Sequence, residues 1–290
     1  MKAESTKKQC EFNEKTTALA AAEIRKLCIR SLASIGSGHI GGCMSVSDIL
    51  AVLYTDIMNI DPKKPHDESR DWLVMSKGHC GPALYATLAL KGYFKKEELF
   101  TLNRGGTNLP SHCDRLKTVG IDISTGSLGQ GLSLAAGVAY GKTLRGIGGR
   151  VYAVLGDGEL QEGQNWEAFQ FIAHRNVKNL ITIIDNNRRQ LDGYTADICD
   201  PFSLKEKFQA FGLDAREVDG HDVTDIYKSL KAAENTQKPA VLICNTEKGH
   251  GCNFAEIPGF NHYMPVTEEL ADSAIAEIDR RLEERYGYSR

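Results

Sequence analysis

Four short apolar runs constrain this chain more than any other feature: Trp72-Leu73-Val74-Met75, Val151-Tyr152-Ala153-Val154-Leu155, Leu180-Ile181-Thr182-Ile183-Ile184 and Ala240-Val241-Leu242-Ile243-Cys244. Each is continuous rather than alternating, the pattern of a strand buried on both faces. Helical stretches separate them, at 16–30, 45–58, 83–91, 132–140 and 166–174. A last, charge-rich helix opens at Thr267-Glu268-Glu269 and ends near Arg285. Strand–helix alternation of this kind predicts an α/β fold: a doubly wound, mostly parallel sheet with helices on both faces. No linker, repeat or low-complexity tract interrupts the sequence, so residues 1–290 are expected to form a single domain. In such sheets ligands gather at the carboxyl ends of the strands, and the residues just after each apolar run carry the functional signal.

Composition excludes several classes. Lys+Arg 35 against Asp+Glu 38 gives a net charge of −3, without the basic footprint of a nucleic-acid binder. No apolar run approaches the roughly 18–20 residues that cross a bilayer, and the first residues, Met1 to Lys8, lack the apolar stretch of a signal peptide. A soluble, cytoplasmic protein is expected. The eight cysteines (10, 28, 43, 80, 113, 199, 244 and 252) form no CxxC pair and read as reduced, small core residues rather than zinc ligands.

Two strand ends stand out. The run at 151–155 is followed by Gly156-Asp157-Gly158-Glu159, and the run at 180–184 by Asp185-Asn186-Asn187. If the strands are neighbours, Asp157 and Asn187 leave the same sheet edge and offer a carboxylate and an amide oxygen to one hard cation. Mg²⁺, with Ca²⁺ or Mn²⁺ as substitutes, takes few protein ligands of this kind and fills its shell with phosphate oxygens and water. Gly156 and Gly158 let a diphosphate approach the backbone. A helix starting near Glu162–Asn165 could aim its free N–H groups at the same charge. Read singly, each motif is also a plain turn or cap. His39 and His79 both sit in Gly-His-x-Gly, and His112 lies in the loop ahead of Gly126-Ser127-Leu128-Gly129-Gln130-Gly131. Glycine-flanked imidazoles can hydrogen-bond a ligand and pass protons. His66, His174 and His221 lack that context and read as solvated or packing residues, and His250 is left open.

The stretch GDGELQEGQNWEA, with LITIIDNNRRQLDG after it, resembles the thiamine-diphosphate motif of transketolases, in particular the split form whose amino-terminal half is a separate polypeptide. SGHIGGCMSVSDIL, SKGHCGPALYA, DISTGSLGQGLS and FNHYMP extend the resemblance over most of the chain. It implies thiamine diphosphate and Mg²⁺ as cofactors and transfer of a two-carbon ketol unit from a ketose, a sugar phosphate or a related sugar, to an aldose. By the same resemblance, His39, His112 and His262 surround the donor ketose and the reactive thiazolium carbon, and His79 and His262 reach the diphosphate. Gly126, Ser127 and Leu128 meet the aminopyrimidine, and the Arg189 carbonyl joins Asp157 and Asn187 on the metal. Glu162 matches an acidic residue at the contact between paired cofactor sites; it reads equally as a first-turn glutamate favoured by the helix dipole. The resemblance also implies a partner. The activating glutamate and most sugar-phosphate contacts belong to a pyrimidine-binding domain for which this sequence leaves no room. A separate carboxyl-terminal subunit is therefore expected to supply them, in an α2β2 complex.

The sequence departs from that pattern at Ile40, at Ser111-His112-Cys113, at Arg188-Arg189 and at Tyr263, which stands where glycine is typical. Changes beside His112 and His262 predict a ketose other than an ordinary pentose phosphate, a modified or sulfonated sugar among them. The competing readings are half of a 1-deoxyxylulose-5-phosphate-synthase-like enzyme, the α-subunit of a 2-oxo-acid dehydrogenase, and a non-catalytic scaffold that keeps the cofactor fold.

Overall fold

The computed structural model of the chain describes residues 11–256 and 261–287. In chain order its elements are α1 (Glu14–Ala33), β1 (Ser37–Gly38), α2 (Ile40–Ser45), α3 (Ser47–Val52), β2 (Trp72–Met75), α4 (Gly81–Lys91), α5 (Gln130–Arg145), β3 (Val151–Gly156), α6 (Gly163–His174), β4 (Leu180–Asn186), α7 (Thr195–Cys199), α8 (Leu204–Ala210), β5 (Asp214–Asp219), α9 (Val223–Ala233), β6 (Ala240–Asn245), β7 (Met264–Pro265) and α10 (Glu268–Tyr286). Local chemistry sets several ends. The Asn13 carboxamide caps α1 by accepting from Thr16 N at 2.9 Å, Asp222 caps α9, and Thr267 caps α10. Pro82 opens α4 and Gly92, at φ +92°, closes it.

The expected parallel sheet is present, with strands in the order β2-β3-β4-β6-β5 and every neighbouring pair parallel. Side chains alternate between two cores along each strand. Tyr152, Val154, Ile181 and Ile183 pack with residues of α1, α3, α4, α9 and α10 on one face. Val151, Ala153, Leu155, Leu180 and Ile184 pack with α5, α6 and α8 on the other. All four predicted strands are in this sheet. Its far edge strand, β5 (Asp-Ala-Arg-Glu-Val-Asp), carries no apolar run because only Ala215 and Val218 of its six residues are buried.

One helix expectation is corrected. The segment 45–58 is not one amphipathic helix: α2 ends at Ser45, α3 runs from Ser47 to Val52, and a π-helical turn follows over Leu53–Ile57. Residues 40–54 are buried all round rather than along one stripe. Ser47 Oγ donates back to the Cys43 carbonyl at 2.8 Å, a bond that competes with the helix ladder at the break. Cys28, Cys43, Cys80, Cys113, Cys244 and Cys252 are buried free thiols, as expected; Cys199 is exposed instead, and Cys10 lies outside the described residues. Among the described residues no helix is long and apolar enough to cross a membrane.

Candidate active site

β3 and β4 are adjacent, with Gly156 opposite Asp185, so the chain beyond them leaves one rim of the sheet. The backbone N–H groups of Gly158 and Arg188 face the Asp157 carboxylate. It therefore lies against the peptide next to Asn187. Both residues are buried, at 3% and 8% exposure. The Asn187 amide N–H₂ donates to Asp185 Oδ2 at 3.3 Å, and its Oδ1 accepts from Arg189 N at 3.1 Å. Asp157 Oδ2 has no hydrogen-bond partner among the described residues. Burial first, and then the Asp185 charge, push the Asp157 carboxyl up to about 7. A buried acid oxygen with no donor, beside a carboxamide oxygen, suits a divalent cation, which would satisfy the oxygen and keep it ionised.

Beneath this pair lies a buried polar hub. Asp185, fully inaccessible, takes hydrogen bonds from Lys77 Nζ, Thr246 Oγ1 and, at 2.6 Å, Ser45 Oγ. Burial alone would raise its carboxyl, but Lys77 and these donors outweigh it and hold it below the usual carboxylate range. Glu159 plays a similar part, accepting from Ser76 Oγ, Gly129 N at 2.8 Å and Gly156 N at 3.1 Å. It ties the β2 end, the Gly129 turn and the β3 end together.

A cluster of imidazoles covers the hub. The ring centroid of His39 lies 5.3 Å from His79, 5.7 Å from His112 and 5.1 Å from His262; His79 and His262 are 5.0 Å apart. These are the four histidines that the sequence singled out. The short antiparallel ribbon of β1 and β7, pairing Ser37 with Pro265 and Gly38 with Met264, brings His39 and His262 together. Gly126, at φ +148°, sits against the His112 ring, and a Cβ on Gly78 would come within 2.8 Å of Gly126 N. Only glycine at 78 lets the Gly126–Leu128 turn approach His79 this closely.

Burial lowers all four histidines. His39 falls to about 4, helped by His112 and Lys248, and His262 to about 4, helped by Lys248, His39 and Lys77. His79 and His112 shift the same way. All are therefore neutral near pH 7 and able to donate and accept. An unfolded histidine takes up its proton near pH 6.5, whereas folded His39 and His262 do so near 4. At these rings the unfolded chain thus binds more protons in that window, and their contribution to stability falls as pH drops from about 6.5 to 4. The urea midpoint of the wild type should therefore fall relative to that of His39→Asn across this range, a difference in which the contributions of other groups cancel; parallel curves would show that the His39 ring is not held neutral by the fold.

Sequence reading missed Lys248, three residues beyond the β6 end. Buried at 5% exposure, its ammonium faces His262 Nδ1 at 3.2 Å and donates to the carbonyls of Arg189 at 3.3 Å and Gln190 at 3.4 Å. Burial lowers it to about 8 against the pull of Asp157, so it stays largely cationic at neutral pH. Its position at a strand end was the available signal. The Arg189 carbonyl, assigned to the metal by resemblance, is the one Lys248 engages here. Glu162 is the exposed N-cap position of α6. A cleft of about 710 Å³ opens beside Asn187, Arg189, Tyr194 and Lys248.

His66 and His174 are solvent-exposed. His221 is neither solvated nor idle: Nδ1 meets Asp48 Oδ2 at 2.8 Å and Nε2 accepts from Glu247 N at 2.8 Å. His250 stacks on it at 3.6 Å. Arg25, which holds Asp48 and donates to the His250 carbonyl, completes a clamp on the loop that carries Lys248. Asp48, His221 and His250 form a carboxylate–imidazole group, but the Arg25 guanidinium already occupies Asp48.

Residues 16–281 match the family described as transketolase, thiamine diphosphate binding domain. Fold and site together are those of a thiamine-diphosphate-binding domain, and thiamine diphosphate is the cofactor. The chain belongs to the transketolase family, and its chemistry is that of a transferase of ketol units. It is 47% identical over 258 residues to the 6-deoxy-6-sulfo-D-fructose transketolase subunit SqwG of Clostridium sp. (strain MSTE9), covering 89% of this chain and 94% of that one. It is 36% identical over 270 residues to one of the apulose-4-phosphate transketolase subunits of Phocaeicola vulgatus, covering 92% of this chain and 95% of that one. The transketolase structure from Leishmania mexicana superposes with a TM-score of 0.83 at 30% identity, over 92% of this chain but 41% of that one.

Proposed function

We propose that this chain is the diphosphate- and metal-binding half of a two-chain, cytoplasmic transketolase whose donor is a ketose with an anionic group at its far end, 6-deoxy-6-sulfofructose first among them. The observation that carries the site is the buried Asp157 oxygen, without a hydrogen-bond partner among the described residues, next to Asn187, together with the cluster of four neutral histidines. The two-chain reading is supported by coverage: the chain spans nearly all of two relatives named as subunits, and about two-fifths of a solved transketolase. The donor is favoured by the higher identity to the sulfofructose relative than to the apulose 4-phosphate one. A carboxyl-terminal subunit would contribute the activating glutamate and the contacts to the sugar's anionic end, in an α2β2 assembly with Glu162 near the paired sites.

Thiamine diphosphate supplies a nucleophilic carbon that takes up and releases the two-carbon unit. Asp157, Asn187 and the Arg189 carbonyl would hold the divalent metal. His79, His262 and the Lys248 ammonium would neutralise the diphosphate, with Gly156 and Gly158 leaving room for it. Gly126, Ser127 and Leu128 would bed the aminopyrimidine. His39, His112 and His262 would bind the ketose oxygens and move protons to and from them.

The test is reconstitution. With its carboxyl-terminal partner, Mg²⁺ and thiamine diphosphate, the chain should convert 6-deoxy-6-sulfofructose and an aldose phosphate into a sulfonated four-carbon aldose and a ketose two carbons longer than the acceptor. The chain alone should show no turnover. Release of carbon dioxide from pyruvate, or turnover without a partner, would overturn the assignment.

A further inference from the structure

Tyr263 is the fifth ring of the histidine cluster. Its centroid lies 5.0 Å from His39 at an interplanar angle of 84°, edge-on, on a His39 ring that also meets His262 edge-on at 5.1 Å. The phenol oxygen is 2.8 Å from Ser37 Oγ. The β1–β7 ribbon places the two partners side by side, since Ser37 opens β1 and Tyr263 immediately precedes β7. Yet the residue is 54% exposed. A ring half in water gains little from burial, so folding alone does not account for fixing it at both ends. A phenol has one hydrogen and two lone pairs, and Ser37 uses only part of that capacity. The remainder is open to a ligand, on a residue more than half exposed and in ring contact with His39.

We propose that Tyr263, braced by Ser37, selects the donor: it walls the entrance over His39 and hydrogen-bonds an oxygen of the incoming ketose. This rests on the transketolase reading above. The contact forms with the sugar and not with the cofactor: Tyr263 meets His39 and Ser37, neither of which the reading above places on the diphosphate, the metal or the aminopyrimidine. Losing one hydrogen bond to an uncharged donor weakens binding about threefold to tenfold.

The experiment uses the assembled two-chain enzyme with 6-deoxy-6-sulfofructose and, in parallel, fructose 6-phosphate as donors at a fixed acceptor concentration. Tyr263→Phe should raise the donor KM about threefold to tenfold, a larger change than in kcat. Tyr263→Gly, which also removes the wall, should in addition shift the ratio of kcat/KM between the two ketoses. Ser37→Ala should move KM in the same direction, and its effect should largely vanish in the Tyr263→Phe background. Thiamine diphosphate affinity, read by fluorescence quenching, should not change. Donor KM and donor preference unaltered in both Tyr263 variants, or a loss of cofactor affinity that matches the KM effect, would overturn the assignment of Tyr263 alone. Wild-type enzyme that transfers no ketol unit from either ketose would instead overturn the reading beneath it.

Discussion

Asp157→Ala will lose metal-dependent thiamine diphosphate binding by at least about a hundredfold, the scale expected when a first ligand of a small site is removed. The same substitution will stabilise the cofactor-free protein. The two effects share one cause. In the free chain the Asp157 carboxylate is buried, one oxygen has no donor among the described residues, and the neighbouring Asp185 charge repels it. A folded pKa raised to about 7 means that the folded state holds a proton which the unfolded state has released above about 4. The contribution of this one carboxyl to the stability of the free chain therefore falls as pH rises from about 4 to 7, by about 1–3 kcal/mol for an unsatisfied buried group, opposite in sign to the contribution of the buried histidines over the same range. Alanine removes that penalty together with the proposed metal ligand. Thermal denaturation at pH 7.5 should give the variant a higher midpoint than the wild type without additives. With Mg²⁺ and thiamine diphosphate the order should reverse, because only the wild type gains from binding. Cofactor affinity within a factor of two of wild type would remove Asp157 from the metal site.

Lys77→Met will destabilise the fold by about 3–5 kcal/mol, the cost of stranding a buried charge. Lys77 is 2% exposed and its partner Asp185 fully inaccessible. Losing the ammonium leaves Asp185 with two hydroxyls and the Asn187 amide as donors. Because Asp185 also sets the Asn187 side chain, cofactor binding should weaken in parallel with stability. The double variant Lys77→Met, Asp185→Asn should recover part of the loss, since no charge then remains uncompensated. Urea denaturation decides the matter: a single-variant cost below about 1 kcal/mol, or a double variant no better than the single, would show that the pair is not coupled as the geometry requires.

How much of the protein is legible in its chain follows from how strongly each feature is written locally. The strands at 72–75, 151–155, 180–184 and 240–244 are continuous apolar runs bounded by turn residues, so four of the five sheet strands were predictable. β5 was not, because an edge strand with Glu217 and Asp219 exposed and only Ala215 and Val218 buried carries no continuous run. The segment 45–58 showed helical spacing, but a helix buried all round has no stripe, and at its division Ser45 reaches Asp185 in the sheet while Ser47 bonds back to the Cys43 carbonyl. Asp157 and Asn187 were recognisable because strand ends carry them, His39 and His79 because glycines flank them, His112 from its loop ahead of the Gly126 turn, and His262 only through the family resemblance. Lys77, Glu159, Asp185 and Lys248 were passed over: an isolated charged residue looks solvated until its burial is known.

The sequence by itself determined the sheet, its parallel sense and the residue types offered at its carboxyl rim, since these depend on periodicity and on side-chain chemistry that neighbours barely alter. Only the tertiary structure decided which charges are buried and in what state. The neutrality of His39 and His262, the partnerless oxygen of Asp157 and the ammonium of Lys248 over the Arg189 carbonyl all depend on solvent exclusion by segments distant in sequence. Desolvation is a property of the packed whole, and the electrostatic energy of a group changes several-fold with it, whereas its identity in the chain does not.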